Sequence, residues 1–305
     1  MSAAYKAPIF TDENAARAAL ESVRWPHGPV CVHCGATENI ARVEGTKKSH
    51  RPGLLYCNDC KGQFTVTVGT VFERSKIPLT KWWLATHLLC ASKKGISSHQ
   101  IHRTLGVTYK TAWFLTHRIR EAMKDGSMGF IGGPGTTVEA DETYLSKSPK
   151  TRKAKGVALN AKPAPMVFSL VQRGGKVRSM YLDHKNVRRA LGEHLHRDSR
   201  LVTDGAQAYK FVMPLKDQHE SVDHSKFEWT RGDVHTNTLE GIFSIFKRGL
   251  VGTYQHMDRK HLDRYLAEFD FRYNTRAKLD ITDGERTRIA MKGIEGKRLM
   301  YRGPN

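Results

Sequence analysis

Thr136-Thr137-Val138-Glu139-Ala140-Asp141 is an extended run that ends on a carboxylate. Its β-branched residues favour a strand, and strand alternation puts Glu139 and Asp141 on one side, so either acid could serve a site there. Downstream, Leu201-Val202-Thr203 is a second β-rich run, closed by Asp204, and Gly205 lets the chain turn sharply after it. After 35 intervening residues Glu240 lies at the start of the helical pattern Leu239, Ile242, Phe243, Ile245, Phe246. A strand carboxylate, a strand-end carboxylate and a helix carboxylate, in that order, suit a two-metal phosphoryl-transfer site. Hard Mg²⁺ ions need oxygen ligands held on rigid elements. Lys247 follows Glu240 by seven residues and shares its helical face two turns on. Alone, that pair reads as a solvated helix face.

Around these acids the pattern predicts a mixed α/β layer arrangement. Met166–Val171 and Lys176–Leu182 predict a hairpin turning at Gly174-Gly175, and Asn186 to His196 a helix. Ser221–Trp229 reads as a further strand, and long helices are expected from Thr238 and from Lys260. Residues 146–165, rich in Lys, Ala and Pro, read as a mobile basic loop. The glycine-rich stretch from Gly126 to Gly135, with Pro134, reads as a linker and domain boundary.

Upstream of that boundary the cysteines dominate. Cys31-Val32-His33-Cys34 and Cys57-Asn58-Asp59-Cys60 are two CxxC knuckles separated by 22 residues. This spacing predicts a zinc ribbon in which Cys31, Cys34, Cys57 and Cys60 hold one Zn²⁺ tetrahedrally. His27 and His33 are further possible ligands, but four thiolates complete the shell, so the ion's expected role is structural. A short helix over residues 10–24, with Thr11 as N-cap, precedes the ribbon, and Phe64 to Phe72 reads as a strand with Gly69 as a bulge.

Three helices follow: one from Leu79 through Leu88-Leu89, a short one capped at Ser97-Ser98, and a third from Tyr109 to Met123 after the turn Gly106-Val107-Thr108. The last two fit a helix-turn-helix with Ile101, Leu105, Val107, Ala112, Leu115 and Ile119 as its core. Lys110, Arg118 and Arg120 on the third helix are then candidates to reach DNA phosphates or base edges. The same pattern fits an ordinary three-helix unit with a solvated basic face equally well. The neighbouring ribbon and the overall charge favour the DNA reader.

That charge is +20 over 305 residues, from 50 basic and 30 acidic side chains spread along the whole chain. Such an excess points to a polyanionic partner, nucleic acid before others. No apolar run approaches the ~20 residues of a membrane span. The N-terminus lacks the apolar core of a signal peptide, and the cysteines do not form a disulfide framework, so a reducing cytoplasm is the expected compartment.

The stretch His235-Thr236-Asn237-Thr238-Leu239-Glu240-Gly241-Ile242-Phe243-Ser244-Ile245-Phe246-Lys247-Arg248-Gly249 resembles the third-acid region of bacterial insertion-sequence DDE transposases. So do Asp141-Glu142-Thr143-Tyr144, Thr203-Asp204-Gly205, and the run from His261 to Asn274. Gly69-Thr70-Val71-Phe72 and Ile77-Pro78-Leu79-Thr80-Lys81-Trp82 resemble the subgroup with an N-terminal zinc ribbon. The resemblance implies a ribonuclease-H-like, integrase-type catalytic domain in which Asp141, Asp204 and Glu240 hold two Mg²⁺ or Mn²⁺ ions. Water would cut duplex DNA at the element's terminal inverted repeats, and the freed 3′-hydroxyl would attack target DNA in line. A homodimer or larger homo-oligomer on DNA is expected. Lys247 and Arg248 would hold the DNA end. Some relatives use Asn where most use the final Glu; here Asn237 and Glu240 both occur, three apart. Glu240, with charged oxygens of longer reach, is assigned the third ligand, and His235 and Asn237 become near-site residues. Two other classes compete: a zinc-ribbon and helix-turn-helix regulator without catalysis, and a ribonuclease-H-like nuclease without strand transfer. The expected domains are the ribbon over 10–75, the helix-turn-helix over 76–125, the catalytic domain over 136–280 and a C-terminal tail over 281–305.

Overall fold

A computed structural model describes residues 6–43, 50–126, 128–145, 165–182, 186–206, 209 and 218–300. The chain divides into two compact units, one from Met1–Lys124 together with Ala277–Asn305 and one from Asp125–Arg276. The basic stretch expected over 146–165 falls, except for Pro165, outside the described residues.

In the first unit, helix α1 spans Glu13–Arg24. Its N-cap is Asp12 rather than Thr11, because the Asp12 carboxylate accepts from the free amides of both Asn14 and Ala15. Strands β1 (Ile40–Arg42), β2 (Leu55–Cys57) and β3 (Gln63–Phe64) form a small antiparallel sheet in the order β1-β2-β3. The strand expected over Phe64 to Phe72 stops at Phe64. The chain has run past the β2 ladder by then, and threonine side chains satisfy the backbone locally instead, as where Thr70 Oγ1 donates to Thr67 O at 2.7 Å. Gly69 then turns with φ +72°.

Three helices follow: α2 (Leu79–Ala91), α3 (Ser98–Leu105) and α4 (Tyr109–Met123). Ser97 caps α3 through Gln100 N, Gly106 closes it at φ +60°, and Thr108 caps α4 through Thr111 N. This helix-turn-helix geometry follows the local signals in the sequence. The C-terminal residues, set apart in sequence as a tail, carry a further helix over Asp283–Lys292 that belongs to this first unit. Its Arg286 donates to Cys90 O at 2.9 Å, and beyond it Val71 N donates to Ile294 O at 3.1 Å. Gly293 sits so close to Ala122 O that a Cβ there would lie 2.3 Å from it.

The second unit is built on a five-stranded sheet: β4 (Thr137–Tyr144), β5 (Met166–Gln172), β6 (Val177–Leu182), β7 (Arg200–Thr203) and β8 (His219–Ser221). The order is β6-β5-β4-β7-β8. β4, β5 and β6 pair antiparallel, whereas β7 and β8 add to β4 in parallel. This is the ribonuclease-H-like mixed sheet that was expected. β8 ends at Ser221, short of the strand expected to Trp229, because Lys226 N and Glu228 N fold back onto Asp223 O and Phe227 takes φ +62°. Part of the glycine-rich stretch is core rather than linker: Ile131 is buried and bridges to Leu195.

Helix α5 (Val187–His194) covers one face of this sheet, burying Val187, Ala190 and Leu191 against Val138, Ala140, Phe168 and Leu170. Helices α6 (Asn237–Gly249) and α7 (Leu262–Asn274) cover the other, with Leu239, Phe243, Phe246, Leu266 and Phe269 against Val167, Val171 and Val177. Each such side chain contributes about 1.5–3 kcal/mol when fully buried. α7 is also aligned by polar contacts. Asp270 accepts from Ser179 N at 2.6 Å, and one turn on Asn274 accepts from Val177 N at 2.7 Å and donates to Val177 O. Four helical residues advance about 6 Å and two strand residues about 6.6 Å, so the two periods match along β6.

Candidate functional site

The parallel pairing of β4 with β7 brings the acids together. Its register matches Val138 with Leu201 and Glu139 with Val202, and two steps further along the same direction lie Asp141 and Asp204. After β7 the Asp204 carboxylate accepts from Ala206 N at 3.1 Å, which holds the turn at Gly205. Carboxylate oxygens of Asp141, Glu142 and Asp204 all lie within 4.8 Å of one another. Glu142 was not singled out as a site residue in the sequence, although it stands beside Asp141. Its carboxylate accepts a short hydrogen bond from the buried hydroxyl of Tyr209.

Glu240 approaches from α6. With Asp141, Glu142, Thr143, Phe243, Ser244, Lys247 and Arg248 it lines an open cleft of about 430 Å³. The α6 face carrying Glu240, Ser244, Lys247 and Arg248 is exposed, while Leu239, Phe243 and Phe246 on the opposite face are buried. Amphipathicity therefore turns this polar stripe out of the core and towards the cleft. Asn237, the alternative third ligand, is exposed at the first turn of α6, and the cleft lining includes Glu240 without it.

Burial, then the charge of Asp204, raises the Asp141 carboxyl from its ordinary 3.8 to about 8. Tyr209 and Tyr144 are also raised, by burial first and then by Glu142. Crowded, partly buried carboxylates of this kind call for a compensating cation, and an all-oxygen donor set fits a hard divalent ion. A pH effect follows. Without a cation the native Asp141 keeps its proton up to about pH 8, whereas the unfolded chain releases it near 3.8. The native state binds more protons across that window, so this group's contribution to stability is lost as pH rises through it. The rise in thermal midpoint on adding Mg²⁺ or Mn²⁺ is therefore expected to grow from pH 5 to pH 8, as a cation displaces that proton. Thermal unfolding with and without metal measures this, and a gain that is flat with pH, or kept in Asp141→Asn, would contradict it.

Glu139, the alternative to Asp141 in the sequence, has a different task. It is fully buried and pairs with Arg173 at 2.8 Å. It also accepts from Thr238 N at 2.9 Å, Leu239 N at 3.1 Å and Thr238 Oγ1 at 2.8 Å, so it caps the N-terminus of α6. Arg173 donates in turn to His235 O at 2.8 Å and faces His235 Nδ1 at 3.2 Å. His235 thus serves the approach to α6. Glu139 lies two residues before Asp141 and the amides it caps lie just before Glu240, so one buried carboxylate ties the helix acid to the strand acid.

In the ribbon, Cys31 Sγ and Cys60 Sγ are 3.6 Å apart, and Cys34 Sγ and Cys57 Sγ are 3.7 Å apart. All four sulfurs lie within 4.8 Å of one another. Sulfurs about 2.3 Å from a tetrahedral Zn²⁺ stand about 3.8 Å apart, so the set fits one structural zinc ion. Burial disfavours the Cys31 thiolate, but the amides of Cys34 and His33 outweigh it and lower its pKa to about 6.

The third helix of the helix-turn-helix divides its basic residues. Lys110 is exposed at its first turn. Arg118 is half-buried, donating to Leu299 O and Glu73 O at 3.3 Å, and burial lowers its pKa. Arg120 is fully buried, with Nη1 3.2 Å from Thr116 Oγ1. The expectation that Arg120 reaches DNA is therefore corrected: helical phase turns it into the core.

Comparison with known proteins agrees with this geometry. Residues 132–274 match the ISXO2-like transposase domain, and residues 11–63 match the transposase zinc-ribbon domain. A protein described as uncharacterized, in the transposable element ISH50 of Halobacterium salinarum, is 29% identical over 282 residues, covering 86% of this chain and 91% of its own length. No solved structure gives a significant match.

Proposed function

Because this chain belongs to the ISXO2-like transposases, we propose that it cuts duplex DNA at the ends of its own insertion element and joins the freed 3′-hydroxyl to target DNA. The observation that carries the reading is the convergence of Asp141 and Asp204 from neighbouring strands, with Asp141 opening onto a cleft also lined by Glu240, Lys247 and Arg248. Asp141, Asp204 and Glu240 would hold Mg²⁺ or Mn²⁺. Such ions, when bound, stabilise both the attacking and the leaving oxygen of an in-line displacement at phosphorus. Lys247 and Arg248 hold the phosphates of the DNA end at the cleft mouth. Tyr209 holds the Glu142 carboxylate by donating to it. Two element ends need two active sites, which favours a homodimer or larger assembly on DNA. No helix among the described residues is long and apolar enough to cross a membrane, and the enzyme would act on DNA in the cytoplasm.

The test is incubation with Mg²⁺ and a duplex carrying the element's own ends, scoring nicks that leave a 3′-hydroxyl and products joined to a second duplex. Both are expected. Binding without nicking would instead indicate a regulator, and nicking without joining a nuclease.

A further inference from the structure

The first unit carries a second feature that the catalytic reading does not use. One cleft of about 830 Å³ is lined by Arg17, Arg51, Arg74 and Lys76 among others, and a second of about 340 Å³ by Arg74, Lys76, Lys110 and Thr111 among others. The segment from Arg74 to Ile77, with Trp82, lines both. It is therefore the saddle at which two basic clefts adjoin, one on the side of α1 and the ribbon and the other at the first turn of α4.

The saddle is rigid. Arg74 takes a left-handed φ of +56°, which turns the chain out after Glu73. Ser75 N donates to Phe72 O at 3.0 Å, and Ser75 Oγ accepts from Ile77 N at 3.1 Å and from Trp82 Nε1 at 3.2 Å. The Trp82 ring lies 4.4 Å from the Phe72 ring beneath. Arg74 and Lys76 are thereby presented to solvent on a pinned loop. Of the nearby acids, Glu13 accepts from Leu79 N and Thr80 N at the start of α2. Glu73 accepts from Gly69 N at 3.1 Å with one oxygen, and its other oxygen stands 3.7 Å from Arg74 Nε, a long pair on a guanidinium that stays exposed. A preorganised row of cations, with Arg74 held only by a long, solvent-exposed pair that a phosphate can displace, suits a chain of phosphates.

We propose that these adjoining clefts act as one groove that grips the phosphate backbone of duplex DNA, with Arg74 and Lys76 linking the ribbon side to the α4 side into a single binding track. The proposal rests on the reading of the chain as a DNA-cutting enzyme and adds where its N-terminal unit holds the duplex. The ends of α4 alone would not dictate it; the shared segment does, since it lines both clefts.

The test uses the full-length protein and a random-sequence DNA duplex of about 30 base pairs, with affinity measured by fluorescence anisotropy over a salt series. The variant is Arg74→Asn with Lys76→Ala, because Asn tolerates the left-handed backbone at position 74. Loss of two phosphate contacts should weaken binding roughly ten-fold near 0.1 M salt and reduce the slope of log K against log salt by about 1.8. Arg288→Ala with Lys292→Ala removes the same charge from the exposed face of the C-terminal helix and should change both values little. An unchanged slope in the groove variant, or an equal loss in the control pair, would overturn the proposal. So would an RNA duplex held as tightly through the same two residues. If the wild-type protein failed to hold any DNA duplex, the transposase reading itself would fall; wild-type binding that ignores the groove variant would remove only the groove.

Discussion

Asp141→Asn and Asp204→Asn are each expected to lower end cleavage at least about 10³-fold, about 4 kcal/mol of transition-state stabilisation, with duplex affinity nearly unchanged. The asymmetry has a physical cause. Strand register brings the two acids together, where they would hold the catalytic ions, whereas affinity for DNA would come from many cations over the surface. Single-turnover cleavage and anisotropy on the same duplex measure the two effects separately. The ranking among the remaining acids is informative as well. Glu240→Gln is expected to cost far more than Asn237→Ala, since Glu240 lines the cleft and Asn237 does not. Glu142→Gln tests the competing arrangement, because Glu142 completes the tight carboxylate cluster from the face of the sheet that also holds Tyr209. Loss of cleavage in Glu142→Gln with retention in Glu240→Gln would move the third-ligand role to Glu142.

The second large effect is expected away from the reacting atoms. Glu139→Ala leaves Arg173 without its buried carboxylate and two α6 amides without an acceptor, and should destabilise the catalytic unit by about 3–5 kcal/mol. Glu139→Gln preserves the shape but removes the charge that opposes Arg173 and the positive end of α6. If α6 relaxes by even 1 Å, Glu240 is displaced with it, and cleavage should drop about 10²-fold with DNA binding intact. Denaturant unfolding checks the first value and single-turnover cleavage the second. Wild-type cleavage by Glu139→Gln would mean that the packing of Leu239, Phe243 and Phe246 alone positions the helix.

Local signals in the chain were enough for much of this architecture. The CxxC spacing named four ligands whose sulfurs do lie together, because a knuckle is closed by residues three apart. Ser97, Gly106 and Thr108 set the helix limits of the helix-turn-helix, since caps act within one turn. Strand alternation placed Glu139 and Asp141 on one side of β4, and helical phase put Glu240 and Lys247 on one face of α6.

What lay beyond local pattern was decided by partners distant in sequence. Alternation could not separate Glu139 from Asp141. Only the arrival of α6 and Arg173 over one end of β4 made the first a buried cap and left the second at the cleft. Glu142 joined the cluster because β7 pairs in parallel and brings Asp204 alongside, a register no local run encodes. The C-terminal helix was read only as a tail, and its place in the first unit was not legible, since the contacts of this segment with Cys90 and Val71 span about two hundred residues. Arg120 and Lys110 look alike in sequence, yet one is buried and the other exposed, because burial is settled by which elements pack against a helix and charge alone does not reveal it.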